Sequence, residues 1–378
     1  MKYLICFGTR PEAIKMAPVI LEMKKRNISF KVCVTAQHRE MLDQVLEIFN
    51  IQPDYDLDLM KVGQSLNLLS ANIFNAIDRV FDDWLGETNV QSQSADLNVV
   101  LVQGDTTSAT IIAQAAFHRN IRVGHIEAGL RTYKKNSPFP EEINRQVISR
   151  IATWHFTPTP KATENLLKEG IVETFILQTG NTVIDSLKII SDNNLTHNFK
   201  TNLSVNFSGF KKIILVTGHR RENFGMGIQE LCIALKEIAR NTAYLIVFPV
   251  HLNPLTKLIV EETLKNISNI QLIPPVDYSE MVWLMKNCDL IISDSGGIQE
   301  EAPTFKIPVI VTRDFTEREE AVEAGFSVLT GANSKRILIE ALKILNFPPD
   351  FTDINNPFGN GNASKKIVDF LESQSAVI

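Results

Sequence analysis

The sequence predicts an α/β protein made of two Rossmann-like, doubly wound domains with a cleft between them. Short apolar runs rich in β-branched residues alternate with longer amphipathic runs, and the alternation is interrupted once, near the middle of the chain. Strands that are apolar along their whole length are typical of parallel sheets covered by helices on both faces. A chain of 378 residues also exceeds one ordinary core and fits two domains.

The predicted strands form two groups of five. The first group is Tyr3–Phe7, Phe30–Thr35, Asn98–Val102, Arg122–Ile126 and Phe175–Gln178, and the second is Lys212–Thr217, Tyr244–Phe248, Ile270–Ile273, Leu290–Ser293 and Pro308–Val311. Helical periodicity marks intervening stretches such as Glu12–Lys25, Leu66–Trp84, Thr107–Arg119, Ile228–Ile238 and Tyr278–Lys286. This order is that of parallel strands joined by crossover helices.

A polar segment separates the two groups. Asp192–Gly209 is rich in Asn, Ser and Thr and lacks an apolar period, and the turn signal Gly180–Thr182 precedes it directly after a strand. We therefore expect a first domain over residues 1–180 and a second over residues 181–363. The helical pattern of Ser364–Leu371 predicts a terminal helix, within residues 364–378, that packs back on the first domain.

Charge and cysteine usage narrow the class of protein. A net charge of −5 argues against a nucleic-acid partner, which would require basic residues that neutralise phosphates. The sequence has no run of eighteen apolar residues, so we expect no membrane span. The four cysteines stand singly in apolar stretches without metal-ligand spacing, which indicates reduced core residues in a cytoplasmic protein and no metal site.

Several polar segments directly follow predicted strands. They are Gly8–Arg10, Gln37–Arg39, Gln103–Thr107 and Glu127–Gly129 in the first domain, and Gly218–Arg221, His251 and Asp294–Gly297 in the second. Parallel α/β sheets bind ligands outside the carboxyl ends of their strands. We therefore expect all seven segments to line one ligand cleft.

Two of these segments have a structural and a functional interpretation. Thr9 and Pro11 suit an ordinary helix start, but Arg10 and Lys15 would also make that helix N-terminus an anion site. The glycines of Asp294–Gly297 suit a plain turn, although their N–H groups could also cradle a phosphate.

The carboxylates have alternatives as well. Asp105 could simply cap the following helix, and Glu141 could simply complement a helix dipole. Glu301 could lie on a solvated helix face or accept ribose hydroxyls. Glu127, directly after an apolar strand, is harder to explain without proton-transfer chemistry. His125, inside that strand, is expected to be a core residue.

Together the motifs resemble the non-hydrolysing UDP-N-acetylglucosamine 2-epimerases of bacteria. Ten segments carry the resemblance, in order from about residue 4 to residue 365: FGTRPEAIKMAP (Phe7–Pro18), TAQHREML (Thr35–Leu42), VQGDTT (Val102–Thr107), GHIEAGLRT (Gly124–Thr132), PFPEEINR (Pro138–Arg145), TGNTVID (Thr179–Asp185), TGHRREN (Thr217–Asn223), PVHLNP (Pro249–Pro254), SDSGGIQEEAP (Ser293–Pro303) and TEREEAVEAG (Thr316–Gly325). An ordered match over nearly the whole chain is highly specific.

The resemblance implies a fold and an activity. The fold is the glycosyltransferase B arrangement, with UDP bound by the second domain, and the assembly is a homodimer. The activity is reversible epimerisation at C2 of UDP-GlcNAc to UDP-ManNAc, by anti elimination of UDP to 2-acetamidoglucal and syn re-addition. It requires no cofactor and no metal, and it serves surface polysaccharide synthesis.

The resemblance also implies roles for individual residues. The catalytic residues are Asp105, Glu127, Glu141 and His219. The residues that bind UDP or the sugar are Arg10, Lys15, Arg145, Ser295, Gly296, Gly297, Glu301 and Arg318. In some relatives a second, activating UDP-GlcNAc binds a region that matches Gln37, His38, Arg39 and His251.

This chain departs from the family pattern at four positions. Glu40 and Gly63 stand where relatives with the activator site have Gln and Arg, and Val276 and Met281 stand where Gln and Phe are common near uracil. Losing the arginine predicts weak or absent activation by a second UDP-GlcNAc.

Three other functions share parts of the pattern: a glycosyltransferase of the same architecture, a hydrolysing epimerase that releases free ManNAc, and an inactive UDP-sugar sensor. The three carboxylates Asp105, Glu127 and Glu141 favour epimerisation over transfer or sensing. The sequence leaves open which carboxylate serves which face of C2, and whether the sugar is unmodified GlcNAc.

Overall fold

Two parallel sheets with helices between their strands form the described part of the protein. The structure is a computed structural model, and it describes residues 1–36, 39–59, 63–86, 98–192, 205–218, 225–251 and 253–376. The chain divides into two compact units, Met1–Ser186 with Gly359–Ile378, and Leu187–Phe358. Among the described residues, no helix is both long enough and apolar enough to cross a membrane.

The first unit contains a seven-stranded sheet within the described ranges. Its strands are β1 (Lys2–Phe7), β2 (Phe30–Val34), β3 (Tyr55–Asp56), β4 (Asn98–Gln103), β5 (Arg122–Ile126), β6 (Trp154–Thr157) and β7 (Ile176–Gln178). They lie in the order β3-β2-β1-β4-β5-β6-β7, and neighbours pair in parallel. The strand order reverses between β1 and β4, which is where α/β sheets bind their ligands, beyond the carboxyl ends of the strands.

Helices flank this sheet along the chain. They are α1 (Arg10–Lys25), α2 (Arg39–Ile48), α3 (Leu66–Leu85), α4 (Thr107–His118), α5 (Glu141–Ile151), α6 (Pro160–Lys168) and α7 (Thr182–Asp192). Thr9 caps α1 in a reciprocal capping box with Glu12, and Thr106 caps α4 through a bond from the Ala109 N–H. Strand residues such as Leu4, Val100 and Val123 are buried in the core beneath α3 and α4.

The second unit repeats this architecture with six described strands. They are β8 (Lys212–Thr217), β9 (Tyr244–Pro249), β10 (Ile270–Ile273), β11 (Leu290–Ser293), β12 (Val309–Val311) and β13 (Ser327–Leu329), in the parallel order β10-β9-β8-β11-β12-β13. The helices are α8 (Met226–Ile238), α9 (Pro254–Leu264), α10 (Tyr278–Lys286), α11 (Gly296–Glu301), α12 (Glu319–Glu323) and α13 (Ser334–Asn346).

The chain ends in a helix that belongs to the first unit, α14 (Ala363–Ala376). The Asp185 carboxylate accepts hydrogen bonds from the N–H groups of Ala363 and Ser364, so a side chain of α7 holds the start of α14. Further along, the Tyr3 hydroxyl donates to the Leu371 carbonyl at 3.2 Å.

The predicted fold class is confirmed, since both sheets are parallel, with helices between their strands, and central strands such as β4 and β9 are buried. The ten predicted strands all occur, and β3, β6 and β13 were not predicted. β3 and β13 are two and three residues long, and β6 carries His155 in its centre, so none shows a continuous apolar run. The four cysteines are free and buried, as predicted for core residues.

Candidate active site

Glu127 lies at the carboxyl end of β5, surrounded by donors from three other elements. Lys15 Nζ of α1 lies 2.5 Å from Oε1, and Asn181 Nδ2, just before α7, donates to the same oxygen at 3.3 Å. Gln103, the last residue of β4, donates its side-chain N–H to Oε2. The side chains of Glu127 and Lys15 are 6% and 12% exposed, so this ion pair is largely shielded from water.

The backbone around Glu127 explains how its side chain reaches these donors. Glu127 adopts a left-handed φ of 65°, which is uncommon for a residue with a Cβ and recurs at functional sites. The Ala128 N–H donates to the Phe156 carbonyl and so continues the pairing of β5 with β6. Gly104 also has positive φ, and a Cβ there would lie 3.7 Å from Glu127 Oε2.

The loop after β1 is joined to the loop after β4 by Glu12. Its Oε2 accepts from the N–H groups of Gly8 and Thr9, and its Oε1 accepts from the Thr106 hydroxyl at 2.6 Å. Burial raises the pKa of Glu12, against the hydrogen bonds from Thr106 and Thr9 that lower it. Gly8 is required here because a Cβ would come within 2.0 Å of Thr35 Oγ1.

Asp105 pairs with Arg145 instead of capping a helix. The Arg145 Nε and one terminal nitrogen both lie 2.8 Å from Asp105 Oδ2. The cap of α4 is Thr106, so the interpretation of Asp105 as a helix cap is wrong. Asp105 remains 24% exposed, and within the described part of the chain no hydrogen bond reaches its second oxygen, Oδ1. That oxygen is therefore accessible to a ligand.

The first turn of α5 is fixed beside Asp105. The Asn144 side chain donates to the Asp105 carbonyl at 2.8 Å, and Arg145 binds the Asp105 carboxylate. Glu141 begins the helix four residues before Arg145, so the two share one helix face. The spacing thus places Glu141 on the side of α5 that faces Asp105.

Glu142 secures the loop before α5. Its carboxylate accepts from the N–H groups of Thr132 and Tyr133, from Gln146, and from Arg145 at 3.4 Å. Burial alone would raise the pKa of Glu142, but the hydrogen bonds from Thr132 and Gln146 hold it below its usual value. Glu142 therefore supports the site by fixing this loop to α5.

Two histidines of this sheet are core residues. Burial lowers the pKa of His125 to about 3 and that of His155 to about 4, so both rings are neutral near pH 7. Nε2 of His125 lies 2.7 Å from the Gly104 carbonyl and therefore donates to it. The interpretation of His125 as a core residue is confirmed.

In the second unit, Arg318 packs against the turn after β11. A Cβ on Gly296 would lie 2.9 Å from the Arg318 Cζ, so only glycine allows the guanidinium this close. Arg318 Nε donates to Glu300 at 2.9 Å, and a terminal nitrogen lies 3.3 Å from Glu317. Burial opposes ionisation of Glu317, but Arg318 and Arg313 lower its pKa to about 2. The resulting ion-pair cluster holds Arg318 beside Ser295–Gly297.

Glu300 and Glu301 are buried, so their interpretation as a solvated helix face is wrong. Glu301 accepts a hydrogen bond from the Tyr278 hydroxyl at 2.9 Å, and Glu300 pairs with Arg318. A side-chain bond from Asn356 to the Glu300 carbonyl further secures this helix. Tyr278 was not among the predicted site residues, and nothing in the sequence marked it beyond its place at the start of α10.

The comparisons with known proteins agree with this geometry. Residues 21–372 match the model of the UDP-N-acetylglucosamine 2-epimerase family. The chain belongs to this family. A UDP-N-acetylglucosamine 2-epimerase of Campylobacter jejuni is 48% identical over 98% of this chain and 97% of its own length. The predicted family and the predicted enzyme class, an epimerase, are thereby confirmed.

Solved structures give the same result for the fold. The crystal structure of UDP-GlcNAc 2-epimerase from Neisseria meningitidis bound to UDP-GlcNAc is 45% identical, covers 99% of this chain and all of its own, and has a TM-score of 0.89. A glycotransferase of kitacinnamycin, 10% identical with 99% and 98% coverage, has a TM-score of 0.62 and shares the fold alone.

The structure describes only two of the four residues that match the activator region of relatives, Arg39 and His251. Gln37 and His38, and the predicted catalytic residue His219, lie outside the described residues. Arg39 is half exposed, and its guanidinium lies 2.6 Å from Asp56 and 3.1 Å from Asp43. His251 is exposed, and its Nδ1 accepts from the Asn253 N–H.

The structure brings some of the predicted site residues together in pairs, with some new partners. In the first unit Lys15 contacts Glu127 and Arg145 contacts Asp105. Both cationic residues were predicted to bind the ligand. Arg10 is the first residue of α1, one turn before Lys15. Gln103 and Asn181 lay inside the recognised motifs but were not predicted as site residues.

Proposed function

We propose that this epimerase interconverts UDP-GlcNAc and UDP-ManNAc by elimination and re-addition of UDP, without hydrolysis. The observation that carries the proposal is the pair of carboxylates at the ends of adjacent strands β4 and β5. Asp105 and Glu127 each contact a cation, Arg145 and Lys15 respectively, at the edge where such sheets bind ligands. This arrangement holds two carboxylates in fixed positions, each beside a cationic side chain.

The chemistry requires such groups. The C2 hydrogen of the sugar is not acidic, so cleavage of the C1–O bond runs ahead and leaves positive character on the ring, which carboxylates stabilise. The bonding pair leaves with the diphosphate oxygen, a base removes the C2 proton, and a C1=C2 double bond forms. Re-addition returns the UDP oxygen to C1 and delivers a proton to the opposite face of C2. Two proton carriers, one for each face, satisfy this sequence.

Asp105 and Glu127 suit different parts of this work. Asp105 keeps one oxygen accessible while Arg145 holds the other, so it can meet the sugar directly. Glu127 lies deeper, and Lys15 beside it offers a cation that stabilises its carboxylate. Glu141, one helical turn from Arg145, supplies the third carboxylate. We do not assign a face of C2 to any of them.

We further propose that the second unit recognises UDP. The N–H groups of Ser295–Gly297, with Arg318 beside them, suit a diphosphate, and Glu301 suits a ribose hydroxyl. The resemblance also implies phosphate contacts for Arg10, at the start of α1, and for His219. The Neisseria relative, whose structure is bound to UDP-GlcNAc, supports this ligand. A cytoplasmic location remains a prediction from the cysteines, and a homodimer that supplies surface polysaccharide synthesis remains a prediction from the resemblance.

The test is turnover of UDP-GlcNAc in D₂O, followed by NMR of the products. The C2 proton is transferred to a protein side chain that exchanges its protons with the solvent. Re-addition should therefore place deuterium at C2 of both recovered UDP-sugars. UDP-ManNAc that forms without deuterium would overturn the elimination mechanism.

The same incubation, with UDP-GlcNAc as the only substrate, separates the other functions. A hydrolysing epimerase would release free ManNAc and UDP, and a glycosyltransferase would leave UDP-GlcNAc unepimerised. A sensor would bind it without turnover. Any of these three results would overturn the proposal.

A further inference from the structure

Glu127 is held by an amide from a distant part of the chain. Asn181 lies 54 residues further along, directly before α7, and its Nδ2 donates to Glu127 Oε1 at 3.3 Å. Asn181 is 3% exposed and Glu127 8%, so the bond is shielded from water. A hydrogen bond to a buried ion is stronger than one between neutral groups.

The orientation of the Asn181 amide follows from its second contact. The Val183 N–H, in the first turn of α7, donates to Asn181 Oδ1 at 3.1 Å. Because a backbone N–H can only donate, this end of the amide is the oxygen, and Nδ2 faces Glu127. One side chain therefore both caps α7 and donates to the carboxylate.

Three of the contacts of Glu127 hold its carboxylate in different ways. Lys15 brings a positive charge to Oε1, but an ammonium group on a flexible stem imposes little direction. Gln103 holds Oε2 from the end of β4. Asn181 fixes Oε1 from α7 through a short side chain that the helix cap already immobilises.

We propose that Asn181 is a positioning residue for Glu127, whose amide orients the carboxylate for the C2 proton and stabilises its ionised form. The inference rests on the proposed function and adds to it a residue outside the three catalytic carboxylates. It also assigns a role to the third residue of the segment TGNTVID, which capping of α7 alone does not require to be Asn.

Several other titratable groups lie on the elements around Glu127, and four of them have described hydrogen-bond partners of their own. Glu141 begins α5, and His125 on β5 is neutral and bound to the Gly104 carbonyl. Asp105 forms an ion pair with Arg145. Glu12 accepts hydrogen bonds from Thr9 and Thr106, and Asp185 accepts them from Ala363 and Ser364. Lys15 is the cation in contact with Glu127, so a new charge at position 181 would act directly against that pair.

The decisive variant is Asn181→Asp. Aspartate keeps an oxygen acceptor for the Val183 N–H and is an equally good helix cap, but it replaces the donor with an anion beside Oε1. We expect kcat near pH 7 to fall at least about a hundred-fold, with KM for UDP-GlcNAc within about threefold. The acidic limb of the kcat profile should move to higher pH by about one unit or more, because a like charge favours protonation of Glu127.

The matched control is Asn181→Ser, which keeps a capping oxygen, adds no charge and removes the donor. We expect kcat to fall about tenfold, the scale of one hydrogen bond to a charged group, and the acidic limb to move in the same direction by less. Thermal unfolding of each variant shows whether it is folded. If Asn181→Asp does not fold, the fall in kcat of Asn181→Ser carries the test.

Two results would overturn the inference. Variants with wild-type kcat and pH profile, or with a loss in KM alone, would show that Asn181 serves only as a helix cap. A wild-type protein that fails to interconvert UDP-GlcNAc and UDP-ManNAc would overturn the proposed function and this role with it. The wild type alone reveals that failure, so the two are distinguishable.

Discussion

Replacing Arg145 with methionine separates two roles for this residue. The resemblance implies that it binds UDP or the sugar, whereas in the structure its guanidinium contacts Asp105 Oδ2 twice at 2.8 Å and Glu142 at 3.4 Å. Arg145→Met keeps a long apolar stem and removes both contacts. If the guanidinium serves mainly to hold Asp105, the variant should lose kcat and retain UDP affinity.

The magnitude follows from the burial of the three groups. Arg145 is 7% exposed and Glu142 is fully buried, and removing one partner of a buried ion pair costs about 3–5 kcal/mol. Glu142 retains its bonds from Thr132, Tyr133 and Gln146, and Asp105, 24% exposed, can be hydrated, so we expect the lower end of that range. Loss of a positioned carboxylate should lower kcat about 10²-fold.

Denaturant unfolding, steady-state kinetics and calorimetric binding of UDP measure these three effects. The matched control is Arg131→Met, because Arg131 is equally buried and pairs with Glu169 at 2.7 Å instead of with Asp105. The control should lose similar stability while its kcat, measured where it is folded, stays near that of the wild type. A tenfold loss of UDP affinity in Arg145→Met with kcat intact would refute the reasoning.

Two further predictions concern the carboxylates and a buried histidine. Asp105→Asn, Glu127→Gln and Glu141→Gln should each lower kcat by at least about 10²-fold with little change in the Kd for UDP; weaker UDP binding with kcat intact would make them ligand-positioning groups. Burial lowers the pKa of His125 from 6.5 to about 3. The stability gained by burying the neutral imidazole is therefore complete above pH 6.5 and is lost as the pH falls towards 3. The loss is about 1.4 kcal/mol per pH unit. His125→Gln keeps a donor for the Gly104 carbonyl and should flatten the pH dependence of the unfolding free energy between about pH 6 and 4. Denaturant unfolding at several pH values measures this. If the unfolding free energy of the variant and of the wild type changed equally with pH, the prediction would be contradicted.

Local pattern was sufficient for most of the fold. Strands such as Asn98–Gln103 and Tyr244–Pro249 are buried at every position. The apolar runs in their sequences therefore predicted both the strands and the helices that cover the two faces of each sheet. β6 was not predicted, since Trp154–Thr157 carries a histidine whose burial is set by the elements packed around it. β3 consists of two residues and is defined by its pairing with β2, which no local pattern contains.

The composition of the site was also readable from the sequence, because residues that directly follow parallel strands must gather at one edge of a sheet. Asp105 and Glu127 were predicted on that ground. Thr9 was predicted to cap α1, and the capping box confirms it, since a cap depends on residues three positions apart.

The partners of these residues were decided only by the tertiary structure. Lys15 and Glu127 are 112 residues apart, and Asp105 and Arg145 are 40 apart, so the contacts depend on how α1 and α5 pack beside β4 and β5. The sequence placed Lys15 at the ligand because a cation near a helix N-terminus suggests anion binding, and Arg145 was placed there because the resemblance implies it. Burial explains these pairings, because a cation shielded from water needs a carboxylate within reach, and here Lys15 meets Glu127 and Arg145 meets Asp105.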